Sequence, residues 1–134
     1  MQYKKIVISA CIVIIVIVAA LLECPKVIGK KPFATITVDD ISQVSVQLLP
    51  PDKTVEVVEI EKLVAALNDV VVYGKDNSYK EYDGQAVIYT IIFTDGRTMV
   101  VNAYNPFIVI DGIGYKTKYE PCERLSQIAN SLTE

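Results

Sequence analysis

Between Lys5 and Glu23 the chain runs for seventeen residues, Ile6 to Leu22, without a charge, and Ile, Val, Ala and Leu dominate the run. Such a stretch is too apolar for an amphipathic surface helix and too uniform for a half-buried strand. As an α-helix rising about 1.5 Å per residue it is roughly 25 Å long, near the lower limit for crossing a hydrocarbon core of about 30 Å. The reading is an N-terminal transmembrane helix. Residues 1–5 then form a short cytoplasmic region, 6–22 a signal-anchor and 23–32 a linker. Residues 33–134 form one extracytoplasmic domain of a single-pass cell-membrane protein.

Lys4 and Lys5 favour an inside N-terminus, but Lys26, Lys30 and Lys31 follow the run closely and weaken the charge bias. A cleaved secretory signal is the second reading, because Val18-Ala19-Ala20 supplies small residues at a cleavage position. A lipoprotein signal is the third, on Ile8-Ser9-Ala10-Cys11, although that cysteine comes early in the apolar run. The length of the run favours retention over cleavage.

Just over a hundred residues remain after the apolar segment, enough for one modest core. From Glu23 onward 11 Lys and Arg stand against 16 Asp and Glu. That acidic and unclustered balance argues against nucleic acid, and against a domain lying flat on anionic lipid. The chain has no His and no Trp but eight Tyr. Without His there is no Ser-His-Asp or Cys-His triad and no His-ligated metal. Three cysteines occur, Cys11, Cys24 and Cys122. A Cys24–Cys122 disulfide is one alternative for an oxidising compartment; the other is a buried Cys122 thiol and a free Cys24.

The pattern from Ala34 predicts a strand over Ala34–Val38, a turn at Asp39-Asp40, and a second strand around Val44–Leu48. Thr54–Val58 reads as a short extended piece. Ile60, Leu63, Val64 and Leu67 then fall on one helical face, with an end near Asp69. Val70–Tyr73 reads as a strand, Gly74–Asp83 as a polar loop, and Gln85–Phe93 as the strongest strand. Asp95-Gly96 predicts a two-residue hairpin turn into Thr98–Ala103. Asn105-Pro106 reads as a break before Phe107–Ile110, and Asp111-Gly112 as a second turn before Tyr115–Tyr119. A closing helix follows Pro121, with Cys122, Leu125, Ile128, Ala129 and Leu132 on one face. Tight turns between consecutive strands predict an α+β fold: a mostly antiparallel sheet covered by two amphipathic helices.

Acid–base chemistry without His would need paired carboxylates. Asp83, Asp95 and Asp111 each precede Gly, as turn residues do, and Glu59 and Glu61 suit a helix start. Asp39-Asp40 and Asp76-Asn77-Ser78 have too few oxygens at the wrong spacing for calcium. No catalytic residue, metal or cofactor is expected. Tyr73, Tyr79, Tyr82, Tyr104, Tyr115 and Tyr119 concentrate at loops and strand ends. Such residues give rigid contact area with a hydroxyl, though Tyr also simply suits sheet edges. The binding set read from this pattern is Tyr79, Tyr82, Tyr104, Asn105, Phe107 and Tyr115, for a protein, peptide or cell-wall ligand. A small carboxylate-dependent glycan hydrolase and a structural envelope protein are the alternatives.

The stretches VSVQLLPPDKTVEV, IEKLVAALNDVVVY, KDNSYKEYDGQ, AYNPFIVIDGIGYKTKYEPCERL and IAN together resemble a domain of unknown function of Gram-positive, mainly clostridial, bacteria. The resemblance runs from about Ile41 onward, and Tyr104–Glu123 is its most distinctive part. It implies a short membrane-anchored protein, or a domain held outside the membrane by larger sensor-type proteins. It carries no catalytic residue over to this chain.

Overall fold

The computed structural model describes residues 2–134, with backbone alone for residues 20–27. Helix α1 spans Gln2–Val27. Its window Gln2–Ala19, with a mean hydropathy of 2.0, is long and apolar enough to cross a membrane or to act as a signal sequence. The side chains described along it are exposed on every side, from Ile6 to Val18. A helix apolar all round needs lipid or a protein core around it. The helix passes beyond Leu22 and takes in the first five residues of the stretch read as linker, Pro25 among them. A proline removes one bond of the helical ladder, and so close to the end only the last turn depends on it.

The rest is an α+β fold built on one open sheet. The strands are β1 (Ile41–Leu49), β2 (Lys53–Glu56), β3 (Val72–Lys75), β4 (Ala86–Phe93), β5 (Thr98–Tyr104), β6 (Phe107–Ile110) and β7 (Ile113–Thr117). Helix α2 (Ile60–Asp69) lies between β2 and β3, and α3 (Tyr119–Leu132) closes the chain. The order is β2-β1-β4-β5-β6-β7-β3, and every pairing is antiparallel. Residues in register share a face, so the core rows can be followed across strands. Val46, Tyr89 and Val101 form one such row, and Leu48, Val87, Ala103 and Ile108 another. All seven are buried. Leu63, Val64, Ala66 and Leu67 of α2 and Cys122, Leu125 and Ala129 of α3 join the same core. The Tyr89 hydroxyl donates to the Leu125 carbonyl at 2.6 Å, which ties β4 to α3 inside that core.

Three local expectations are corrected. Ala34–Val38 is not a strand but a chain of turns, ending in a 3₁₀ turn at Val38–Asp40. Phe33 is buried there, and Asn68 at the end of α2 donates its amide to the Phe33 carbonyl at 2.6 Å and the Ile36 carbonyl at 3.0 Å. The segment therefore closes one end of the core instead of adding a strand. At Asp95-Gly96 the loop has three residues, Thr94–Gly96. The Gly96 amide donates to the Phe93 carbonyl, the Phe93 amide donates to the Arg97 carbonyl, and Gly96 has φ +90°. That is a turn followed by a left-handed bulge residue rather than a two-residue loop. Asn105-Pro106 does not break the ladder. Tyr104 and Phe107 pair across it, so the two residues are themselves a hairpin turn.

The second turn stands as read. Ile110 pairs with Ile113, and Asp111 and Gly112 take φ values of +47° and +85°. Positive φ at both central residues is what a type I′ turn requires.

Candidate functional site

The tyrosine-bearing segments divide between two faces of the sheet. Tyr104, Phe107 and Lys116 are in register on the face away from the core, and so are Asn102, Val109 and Gly114. The loop after β3 folds over that face. The Asp76 amide donates to the Gly114 carbonyl at 2.8 Å, and the Asn77 side-chain oxygen accepts from the Gly114 amide at 2.9 Å. The Tyr79 ring lies over Gly114, where a Cβ would sit 2.7 Å from the ring. Tyr82 packs on Phe107 with ring centroids 5.3 Å apart, and the Tyr104 hydroxyl donates to the Tyr82 carbonyl. This cover leaves Phe107 2 % and Val109 6 % exposed.

Four of the six residues in the sequence-derived binding set, Tyr79, Tyr82, Tyr104 and Phe107, thus come together, largely to bury one another. Tyr82 keeps half of its surface open. Tyr115 goes elsewhere: it is in register with Ile108 and packs against the core. Asn105 turns toward α3. Its amide donates to the Tyr119 carbonyl at 3.2 Å and to Glu123 at 3.3 Å, and its carbonyl oxygen is buried without a partner. Asp76, weighed above as a cation ligand, accepts from the Ser78 hydroxyl at 2.6 Å and the Ser78 amide at 2.9 Å. Those two bonds hold its carboxyl below the usual range. Among the described residues no cluster of three metal-ligating side chains occurs.

Cys122 carries a free thiol, buried completely, that donates to the Phe107 carbonyl at 3.5 Å. Burial pushes its pKa up to about 12, so it is no nucleophile at neutral pH. Cys24, its partner in the disulfide alternative, lies outside the residues whose side chains are described.

Sequence reasoning missed a concave surface at the other end of the sheet. An open cleft of about 680 Å³ lies between the Pro32–Asp40 segment and the turns that follow β4 and β6. Register puts it at the end of the sheet opposite the Tyr104–Phe107 turn. Phe33, Ile36, Phe93, Met99 and Ile110 give it apolar walls, and Thr35, Asp40, Asp95, Arg97, Thr98 and Asp111 give it polar ones. The guanidinium of Arg97 sits over the Phe93 ring, 5.0 Å from its centroid, and pairs with Asp95 at 2.7 Å. The Arg97 amide and then its guanidinium hold the Asp95 carboxyl below its ordinary value. Asp40 accepts from the amide and hydroxyl of Thr37, and Asp111 accepts from the Val100 amide at 2.9 Å. Each carboxylate on the rim therefore already holds a turn in place. The missed signal was the pair of Asp-Gly turns, since only the antiparallel order brings both to one end of the sheet.

No protein-family model, no curated protein and no solved structure matches this chain.

Proposed function

We propose that the chain is a membrane-anchored, non-catalytic binding or sensing module whose α+β domain lies outside the cytoplasm. In this reading α1 is a retained single span, and α2 and α3 cover one face of the sheet. The ligand is a peptide segment, from a protein partner or the cell wall, and it seats in the cleft beside Phe93 and Arg97. The observation that carries the reading is the make-up of that cleft. Apolar side chains converge on it while its charged groups are committed to turns and to one another. Ligand sites are concave and combine apolar walls with fixed polar groups, and this cleft divides its lining about equally between the two.

A carboxylate-dependent glycan hydrolase is the second reading, favoured because Asp40, Asp95 and Asp111 line the same cleft. Against it, a general acid needs a raised pKa, and Asp95 is shifted the other way.

The test is photo-crosslinking in the native membrane, with a photoreactive residue at Thr35, at Tyr82 or at Gln47 on the face away from the core. A recurrent adduct from Thr35 alone supports the cleft. An adduct from Tyr82 alone moves the ligand to the aromatic cover. Identical products from all three positions, or none from any, remove the binding-module reading.

A further inference from the structure

We propose that the β3 edge of the domain docks on the surface of the bilayer that holds α1, with anionic phospholipid headgroups as its partner. The proposal rests on the reading of α1 as a retained membrane span, and three observations point to it.

The first is the tether. Helix α1 ends at Val27, and Lys30 already pairs with Val72 of β3, its amide 2.8 Å from the Val72 carbonyl. Fully extended, the residues between cover only about 10 Å. The five helical residues past Leu22 add about 8 Å, so the edge of β3, the one nearest the lead, is held within about 20 Å of the end of the span.

The second is charge. Lys30, Lys31, Lys75, Lys116, Lys118 and Arg124 are all exposed, and all belong to this margin of the sheet. Lys75 is in register with Tyr115 of β7, the Lys118 amide donates to the Val71 carbonyl, and Lys31, Lys118 and Arg124 all act on Asp69. Asp69 pairs with Arg124 at 2.7 Å, and Asp76 faces Lys116 at 3.8 Å. Lys30, Lys31, Lys75 and Lys118 form no ion pair among the described residues. The opposite edge, β2 and the start of α2, carries Asp52, Glu56, Glu59 and Glu61 together with Lys53 and Lys62, the last paired with Glu59. Set against Asp69, Asp76, Glu120 and Glu123 beside them, the six cations of the β3 margin leave it net positive by two within a domain that is acidic in total. An anionic surface attracts such a basic margin over roughly a screening length.

The third is the kind of apolar surface found there. Tyr119 is 61 % and Ile28 65 % exposed, and the half-open Tyr73 lies beside Gly29. Tyrosine is the side chain suited to headgroup level, with an apolar ring and a wet hydroxyl.

The experiment uses the full chain in nanodiscs of phosphatidylcholine alone or mixed with phosphatidylglycerol, read by hydrogen–deuterium exchange. Amides of residues 28–33 and 70–76 are expected to exchange about tenfold more slowly in the anionic discs. The difference is expected to vanish in about 1 M salt, where charges are screened beyond about 3 Å. It is also expected to vanish in the triple variant Lys30→Gln, Lys31→Gln, Lys118→Gln and to survive Lys53→Gln with Lys62→Gln on the other edge. A chain that elutes with the discs but exchanges equally in both lipids overturns the docking and leaves the anchor standing. A chain that does not elute with discs overturns the anchor, and the docking with it.

Discussion

Gly114 is the residue on which the aromatic cover depends. A Cβ there would collide with the Asp76 carbonyl oxygen, which is backbone and cannot swing aside. Gly114→Ala is expected to cost about 1–3 kcal/mol, as overpacking does, and to expose Tyr79 and Tyr82. Urea unfolding with tyrosine emission as the probe measures both, and an unchanged midpoint would mean that the loop does not rest on β7. Asp69, Asp76 and Asp95 share a second consequence at this scale. All three carboxyls are held below their ordinary pKa in the fold, so their ionised forms favour the fold above that value. The contribution is lost as the pH falls through the lowered folded values. Acid unfolding is expected to set in below about pH 4 and to be shallower in Asp76→Asn. If the two acid limbs superimpose, the Ser78 bonds do not couple to stability. Cys122 is expected to resist maleimide until the chain is denatured and to react then without reductant. Continued resistance after denaturation would point to the Cys24 disulfide instead.

At the scale of elements, periodicity decided what could be read in advance. α2, β1, β4 and α3 have long runs with one buried face, and their patterns survive in the burial of Val44, Val46 and Leu48 or of Leu63 and Leu67. Ala34–Val38 alternates just as well, yet it forms turns, because Asn68 offers its carbonyls better partners than an edge strand would. A contact between residues more than thirty positions apart leaves no local trace. The placement of the tyrosines leaves no local trace for a related reason. Tyr115 lies beside polar residues in sequence but faces the core in register, whereas Tyr82 covers Phe107 from a loop. Asn68→Ala tests the element-scale account. It removes both hydrogen bonds to the Phe33–Ile36 segment, so a loss of about 1–2 kcal/mol is expected. Exchange should quicken at residues 33–40 first, since they form one wall of the cleft. If the loss is spread evenly over the sheet, the segment is not the separately held cap described above.

The whole molecule joins an apolar helix to a domain whose margin at the junction is net positive. That arrangement bears on topology, because cations flank the apolar run on both sides: Lys4 and Lys5 before it, then Lys26, Lys30 and Lys31 after it. Taken as a sequence, the count on the two sides leaves orientation open. In the folded domain Lys30 belongs to the sheet through its pairing with Val72, and its side chain is exposed. On the proposed orientation, lysines held by the folded domain act after translocation, whereas Lys4 and Lys5 act during insertion. Orientation should therefore be governed by Lys4 and Lys5. In cells making the full chain, protease added from outside is expected to digest the domain. Lys4→Glu with Lys5→Glu should lower the digested share several-fold, while Lys30→Gln with Lys31→Gln should leave it unchanged. A domain shielded from protease in intact cells and digested only after lysis would place it inside, with the basic edge then facing the inner leaflet. Equal sensitivity of both double variants would assign the orientation to the cations on both flanks, with no separate role for those the sheet holds.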